Sequence, residues 1–185
     1  MTALDDLLTR WRRRVALKFV LPGSRVLDIG THDGGLFHAG GITGVGIDPA
    51  LVGTAGSSAG VTLIQGAFPA DLPKMPPSSF DCVTALAVVE HVAEAELQIW
   101  ADQLSMLVRA GGRVVITVPA PRVDRLLHIL MRLRLVDGIE AHQHHGFEPD
   151  QLTAIFGAPT WRLLRRRTFQ LGFNNLFVFE RTAAE

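Results

Sequence analysis

Between residues 25 and 48 two apolar runs each end in an aspartate, with a polar glycine turn between them. The first run, Val26-Leu27-Asp28-Ile29, closes on Gly30; the second, Val45-Gly46-Ile47, closes on Asp48. Short Val/Ile/Leu runs of this kind suit strands buried on both faces of a parallel sheet. Gly30 and Gly34 allow a sharp turn and close approach of the backbone to a ligand. Asp48 lies twenty residues beyond Asp28, where an acidic residue at the end of a second strand accepts both hydroxyls of a ribose. The segment therefore reads as the opening β-α-β unit of a nucleoside-binding sheet.

The glycine spacing narrows the nucleoside. A dinucleotide fingerprint needs G-x-G-x-x-G, because its middle glycine makes room for a pyrophosphate over the helix N-terminus. Here the turn is Gly30-Thr31-His32-Asp33-Gly34, with His32 in place of that glycine and a carboxylate, Asp28, just before it. A carboxylate repels a diphosphate and attracts a ligand that carries an ammonium and a sulfonium.

Three later motifs extend the pattern: Phe80-Asp81-Cys82-Val83-Thr84-Ala85-Leu86, then Val89-Glu90-His91-Val92, then Leu107-Val108-Arg109-Ala110-Gly111-Gly112 leading into Arg113–Pro119. Together with the first turn they resemble the class I S-adenosylmethionine-dependent methyltransferases over roughly residues 20 to 181. The Glu-His pair is of the small-molecule type, and Ala110 replaces the usual proline of the Gly-Gly turn. The resemblance implies a doubly wound, mostly parallel, seven-stranded sheet with a C-terminal antiparallel hairpin and S-adenosylmethionine as cofactor. In the family the residue matching Asp28 commonly reaches the methionine amino group and that matching Asp48 holds the ribose; Gly30, Thr31, Gly34 and Pro49 are further cofactor-binding candidates, as is His32, which stands where the family has glycine. Gly66, Ala67 and Phe68 fall at the adenine, and Ala85 and Leu86 are cofactor-binding candidates as well. At Ala67 the family often has an aspartate that takes the adenine amino group; Asp71 is the nearest substitute, or else a loop residue.

Length and charge bound the rest. A chain of 185 residues, 48% hydrophobic, buries one good core, so a single domain over 1–185 is expected. Zero formal charge argues against bulk attraction to nucleic acid. Cys82, the only cysteine, sits in an apolar run, which fits a reducing compartment. No apolar run approaches the ~20 residues that span a bilayer, and no signal-peptide block opens the chain, so a cytoplasmic monomer or homodimer is expected.

Periodicity places a helix over 3–20, with Leu4, Leu7, Leu8, Trp11, Val15 and Phe19 on one stripe and Arg10, Arg13, Arg14 and Lys18 mostly off it. Strands are expected at 25–29, 44–48, 61–64, 80–86 and 112–118, a short helix between the first two, a helix near 93–109, another near 148–156, and a hairpin of 161–169 with 175–181.

Catalytic candidates gather where the fourth strand of the family ends. His91 reads either as a general base for a hydroxyl acceptor or as a structural histidine, and Glu90 as a shaping residue beside the cofactor. His32 faces either the cofactor or solvent. The segment 119–147 reads as a cover over the acceptor site. Within it Arg122 and Arg125 flank an apolar stripe suited to an anionic or lipid-linked acceptor, to a peripheral membrane contact, or to ordinary core packing. Glu140, His142, His144 and His145 read as substrate contact, His144 foremost, or less simply as a metal site. The acceptor is a small molecule, sugar or lipid-linked intermediate methylated on O, N or C. The rival readings are a non-catalytic S-adenosylmethionine-binding regulatory domain and, against the glycine spacing, an NAD-dependent oxidoreductase.

Overall fold

The computed structural model describes residues 3–120 and 149–183. In chain order these form α1 (Ala3–Leu17), β1 (Arg25–Ile29), α2 (Gly35–Gly40), β2 (Thr43–Asp48), β3 (Gly56–Ser58), β4 (Val61–Gln65) and β5 (Phe80–Leu86). A 3-10 turn (Val89–His91) follows, then α3 (Glu94–Leu107), β6 (Val108–Pro119), α4 (Gln151–Ile155), β7 (Trp161–Phe169) and β8 (Asn174–Arg181). The expected segment 122–135, the cover at 119–147 beyond Ala120, and Glu140, His142, His144 and His145 lie outside the described residues.

All the described strands join one sheet in the order β3-β4-β2-β1-β5-β6-β8-β7. β4, β2, β1, β5 and β6 run parallel, while β8 pairs antiparallel with both β6 and β7. The expected doubly wound sheet and closing hairpin are present, with eight strands in place of seven. The additional strand is β3, antiparallel to β4 at one edge. Its Gly-Ser-Ser residues are all exposed and carry no apolar alternation, so no period-2 signal marks it.

Alternation along the strands separates two cores. Leu27, Ile29, Val83, Ala85, Ile116 and Phe177 face α3 and α4, where Leu97, Trp100, Leu104 and Leu152 pack on them. Val26, Cys82, Val115, Leu176 and Val178 face Val15 and Ala16 of α1 and Leu36 and Phe37 of α2. Burial drives the Cys82 thiol up to about 12, which removes it from thiolate chemistry. β1 and β2 approach so closely that a Cβ at Gly44 would lie 1.9 Å from the Val26 carbonyl oxygen.

Two boundaries moved. β6 begins at Val108 rather than 112, because Val108 is fully buried and pairs with Phe80 before a register shift at Cys82. An ion pair of Arg109 with Asp81 at 2.5 Å secures that start. α1 ends at Leu17, and its expected stripe is buried only toward that end: Val15 is in the core while Leu7 is 59% and Trp11 41% exposed, and the face carrying Thr9, Arg12, Arg13 and Ala16 also turns inward. The spacing of those four residues is itself helical, and this second stripe turns inward because the sheet's ligand crevice lies beneath it.

Candidate active site

Chain order reverses between β2 and β5, which flank β1 on opposite sides, and at such a switch point the carboxyl ends of the strands open a crevice. A cavity of about 540 Å³ lies there. That volume is within the range of nucleoside-sized ligand sites.

The β1 end supplies Asp28, Gly30, Thr31 and His32 to the wall. Asp28 points toward the α1 face and accepts a hydrogen bond from the Thr84 hydroxyl at 2.6 Å, its partner across the β1–β5 ladder. Burial raises its carboxyl to about 6, with the Thr84 bond opposing. Gly30 has φ +75, and a Cβ there would sit 2.2 Å from Val88 Cγ2, so glycine is required on both counts. His32 takes φ +55, a left-handed position that histidine tolerates, and it is among the residues that line the cavity.

Asp48, at the β2 end, fastens two turns. Its Oδ2 accepts the His32 amide at 2.8 Å and its Oδ1 the Ala50 amide at 2.7 Å. Each carboxylate oxygen keeps a second lone pair for a ligand hydroxyl. The β4 end contributes Ala67 and Phe68. Asp71 is committed elsewhere: its carboxylate accepts the Ala67 amide at 2.8 Å, and its Cβ lies 2.5 Å from where a Gly66 Cβ would be. Phe68 meets Trp100 of α3 edge-on, with ring centroids 5.1 Å apart.

The β5 end supplies Leu86, Ala87, Val88 and His91. Glu90 is buried behind that wall, its Oε2 without a hydrogen-bond partner among the described residues. Burial pushes its carboxyl up to about 7, opposed by its own backbone amide and by the field of Arg12. Arg12 and Arg13 enter the cavity from α1. Arg13 is ion-paired with Asp33 in the glycine turn. Arg12 donates to the Thr9 hydroxyl at 3.2 Å, has no carboxylate within ion-pair distance among the described residues, and is pulled below its ordinary pKa by burial.

Of the expected cofactor residues, Asp28, Gly30, Thr31, His32, Asp48, Pro49, Ala67, Phe68 and Leu86 line this one cavity, together with His91. Gly34, Gly66, Ala85 and Glu90 stand behind its surface, and His144 is outside the described residues. Arg12, Arg13, Glu96 and Trp100 line it as well and were not anticipated. For the arginines the available signal is the Thr9/Arg12/Arg13/Ala16 spacing, which lies off the apolar stripe of the helix. No cluster of metal-ligating side chains occurs among the described residues.

The comparisons agree with this geometry. A profile of the methyltransferase domain family matches residues 3–164. No curated protein matches the chain by sequence. Among solved structures, a protein from Pyrococcus horikoshii is 14% identical, with TM-score 0.66, over 98% of this chain and 92% of its own. The N-methyltransferase NodS from Bradyrhizobium japonicum is 11% identical, with TM-score 0.66, over 97% of this chain and 99% of its own. A SAM-dependent methyltransferase from Methanosarcina mazei is 14% identical, with TM-score 0.59, over 92% and 98%. At such identities the structures speak to the fold, and the family assignment rests on the profile. The chain belongs to the methyltransferase domain family, and it is an enzyme of the class I type whose cofactor is S-adenosylmethionine.

Proposed function

We propose that the protein methylates an oxygen, nitrogen or carbon of a small, sugar or lipid-linked acceptor that carries an acidic group. The observation behind this reading is the convergence on one cavity of Asp28 and Asp48 from β1 and β2, His91 from beyond β5, and the arginines of α1. When bound, S-adenosylmethionine supplies a methyl group already activated on a sulfonium. The chain's work is to hold and orient, which is worth up to ~7–11 kcal/mol in well-aligned systems.

Asp48 holds the ribose hydroxyls while fixing the two turns that shape the site. Asp28 faces the methionine ammonium, whose positive charge favours the ionised carboxylate that burial opposes. Arg13, beside the glycine turn, holds the methionine carboxylate. Arg12, with no carboxylate partner among the described residues, takes the acidic group of the acceptor. His91 receives the proton where the methylated atom is a hydroxyl or protonated nitrogen. Glu90 sits behind the wall and acts through Arg12 as a positioning residue, in keeping with the shaping role that its sequence position allows. His144 remains a proposal of the sequence alone.

The test is methyl transfer from isotopically labelled S-adenosylmethionine to a panel of carboxylate- and phosphate-bearing acceptors, each compared with its neutral analogue. Transfer only to acidic members, lost in Arg12→Met and His91→Ala with S-adenosylhomocysteine affinity retained, is expected. Equal transfer to neutral analogues would remove the acidic-acceptor reading.

A further inference from the structure

We infer that Glu96, on the first turn of α3, recognises the exocyclic amino group of the cofactor's adenine, in place of any side chain from the β4 loop. The inference rests on the assignment of this cavity to S-adenosylmethionine.

Three carboxylates line the cavity among the described residues: Asp28, Asp48 and Glu96. Asp28 accepts from Thr84, and both oxygens of Asp48 accept backbone amides. The Glu96 carboxylate has no hydrogen-bond or ion-pair partner among the described residues. Its neighbour in the same turn, Glu94, accepts from Gln151 of α4 at 3.3 Å, so the two first-turn acids serve different neighbours.

The placement follows from the helix period. Glu96 and Trp100 are four residues apart and share one face of α3. Trp100 is packed on Phe68, which anchors that face to the loop after β4. Glu96 therefore stands one turn nearer the carboxyl ends of the strands, over the same loop. That loop brings no side-chain acceptor to the cavity wall: Ala67 has none, and Asp71, whose carboxylate accepts the Ala67 amide, is not among the lining residues. An amino group at this end of the cavity needs an acceptor, and Glu96 is the carboxylate at hand.

A first-turn acid also stabilises its helix through the macrodipole, a role indifferent to what fills the cavity. Ligand discrimination separates the two. Titration calorimetry is run with S-adenosylhomocysteine and with S-inosylhomocysteine, in which a 6-oxo group replaces the 6-amino donor, on the wild type, Glu96→Gln and Glu94→Gln. The wild type is expected to prefer the amino compound by about 10- to 100-fold, the range for one hydrogen bond to a charged group. Glu96→Gln should bring the two affinities within about threefold, since an amide both accepts and donates. Glu94→Gln should keep the wild-type preference. An unchanged preference in folded Glu96→Gln, or an equal collapse in Glu94→Gln, overturns the inference while leaving the cofactor assignment intact. Failure of the wild type to bind S-adenosylhomocysteine overturns both.

Discussion

The two ends of the cavity are built to different degrees. At the β1–β2 end the carboxylates already have donors: Thr84 on Asp28, two backbone amides on Asp48, and Arg13 on Asp33. At the β5–α1 end, among the described residues, Glu90 is buried with an unpartnered Oε2, the Thr117 hydroxyl on the neighbouring strand is likewise unpaired, and Arg12 has no carboxylate within ion-pair distance. A buried polar atom without a partner costs ~1–3 kcal/mol; among the described residues the Thr31 hydroxyl is one at the first end, and Glu90 Oε2 and the Thr117 hydroxyl are two at the second, so the second end stores more of that instability. The contrast suits a site with one invariant ligand and one acceptor that must enter and leave. The cofactor's contacts are prepared in advance, and the acceptor's are held open.

Breaking the prepared end should have the largest effect. Gly30→Ala places a side chain at φ +75 and against Val88, costing ~1–2 kcal/mol for the left-handed backbone and a similar amount for overpacking. S-adenosylhomocysteine binding should be lost and the melting temperature lowered, with Val88→Ala restoring part of the stability. A Gly30→Ala protein that melts and binds like wild type would show that the turn is not built as described.

Asp48→Asn comes next. It removes charge while keeping an acceptor for one turn amide, so S-adenosylhomocysteine affinity should fall by ~1.5–3 kcal/mol in a folded protein. Asp48→Ala should also loosen the turns, because both oxygens fasten backbone, and is the less clean measurement. Unchanged calorimetric affinity in folded Asp48→Asn would return Asp48 to a purely structural role.

The unprepared end should show itself in pH. Burial raises the Glu90 carboxyl from 4.5 to about 7, so across that window the folded protein keeps a proton that the unfolded chain releases. Stability contributed by Glu90 therefore falls as pH rises from about 4.5 to 7, and the penalty is complete above it. Glu90→Gln should be more stable than wild type by roughly 1–3 kcal/mol at pH 8 and similar to it below pH 4.5, a difference thermal melts resolve. Parallel pH profiles for the two proteins would mean Glu90 is not the strained group.

The smallest effects should come from α1, and they should split. Arg13→Met should weaken S-adenosylhomocysteine about tenfold, whereas Arg12→Met should leave it within about threefold. Equal losses in both variants, read by calorimetry, would erase the division between the two ends.

The sheet was legible because parallel strands must be continuously apolar: Val26-Leu27, Val45 and Ile47, Cys82-Val83 and Val114-Val115-Ile116 all announce themselves and are all buried. The prepared end was legible for a related reason, since turn glycines and strand-end aspartates are confined to fixed offsets. β3 was not, because three exposed residues at an edge bury nothing. Nor was the role of α1. An amphipathic pattern says that one stripe is buried but not whether a neighbouring polar stripe meets water or a cavity, and only the tertiary position of α1 over the strand ends decides that for Arg12 and Arg13. Glu90 illustrates the same limit. Adjacent to His91 in sequence, it faces away from the cavity because the 3-10 turn directs successive side chains apart.

The most direct test of the central claim is a thermal-shift titration of the wild type with S-adenosylhomocysteine and, separately, with NAD. A ligand that binds only the folded state stabilises it by ~2.7 kcal/mol at a hundredfold excess over its Kd. The prepared end, with Asp28 before the turn and no middle glycine, predicts a saturable rise in melting temperature with S-adenosylhomocysteine and none with NAD. A rise with NAD and none with S-adenosylhomocysteine at millimolar concentration would contradict it.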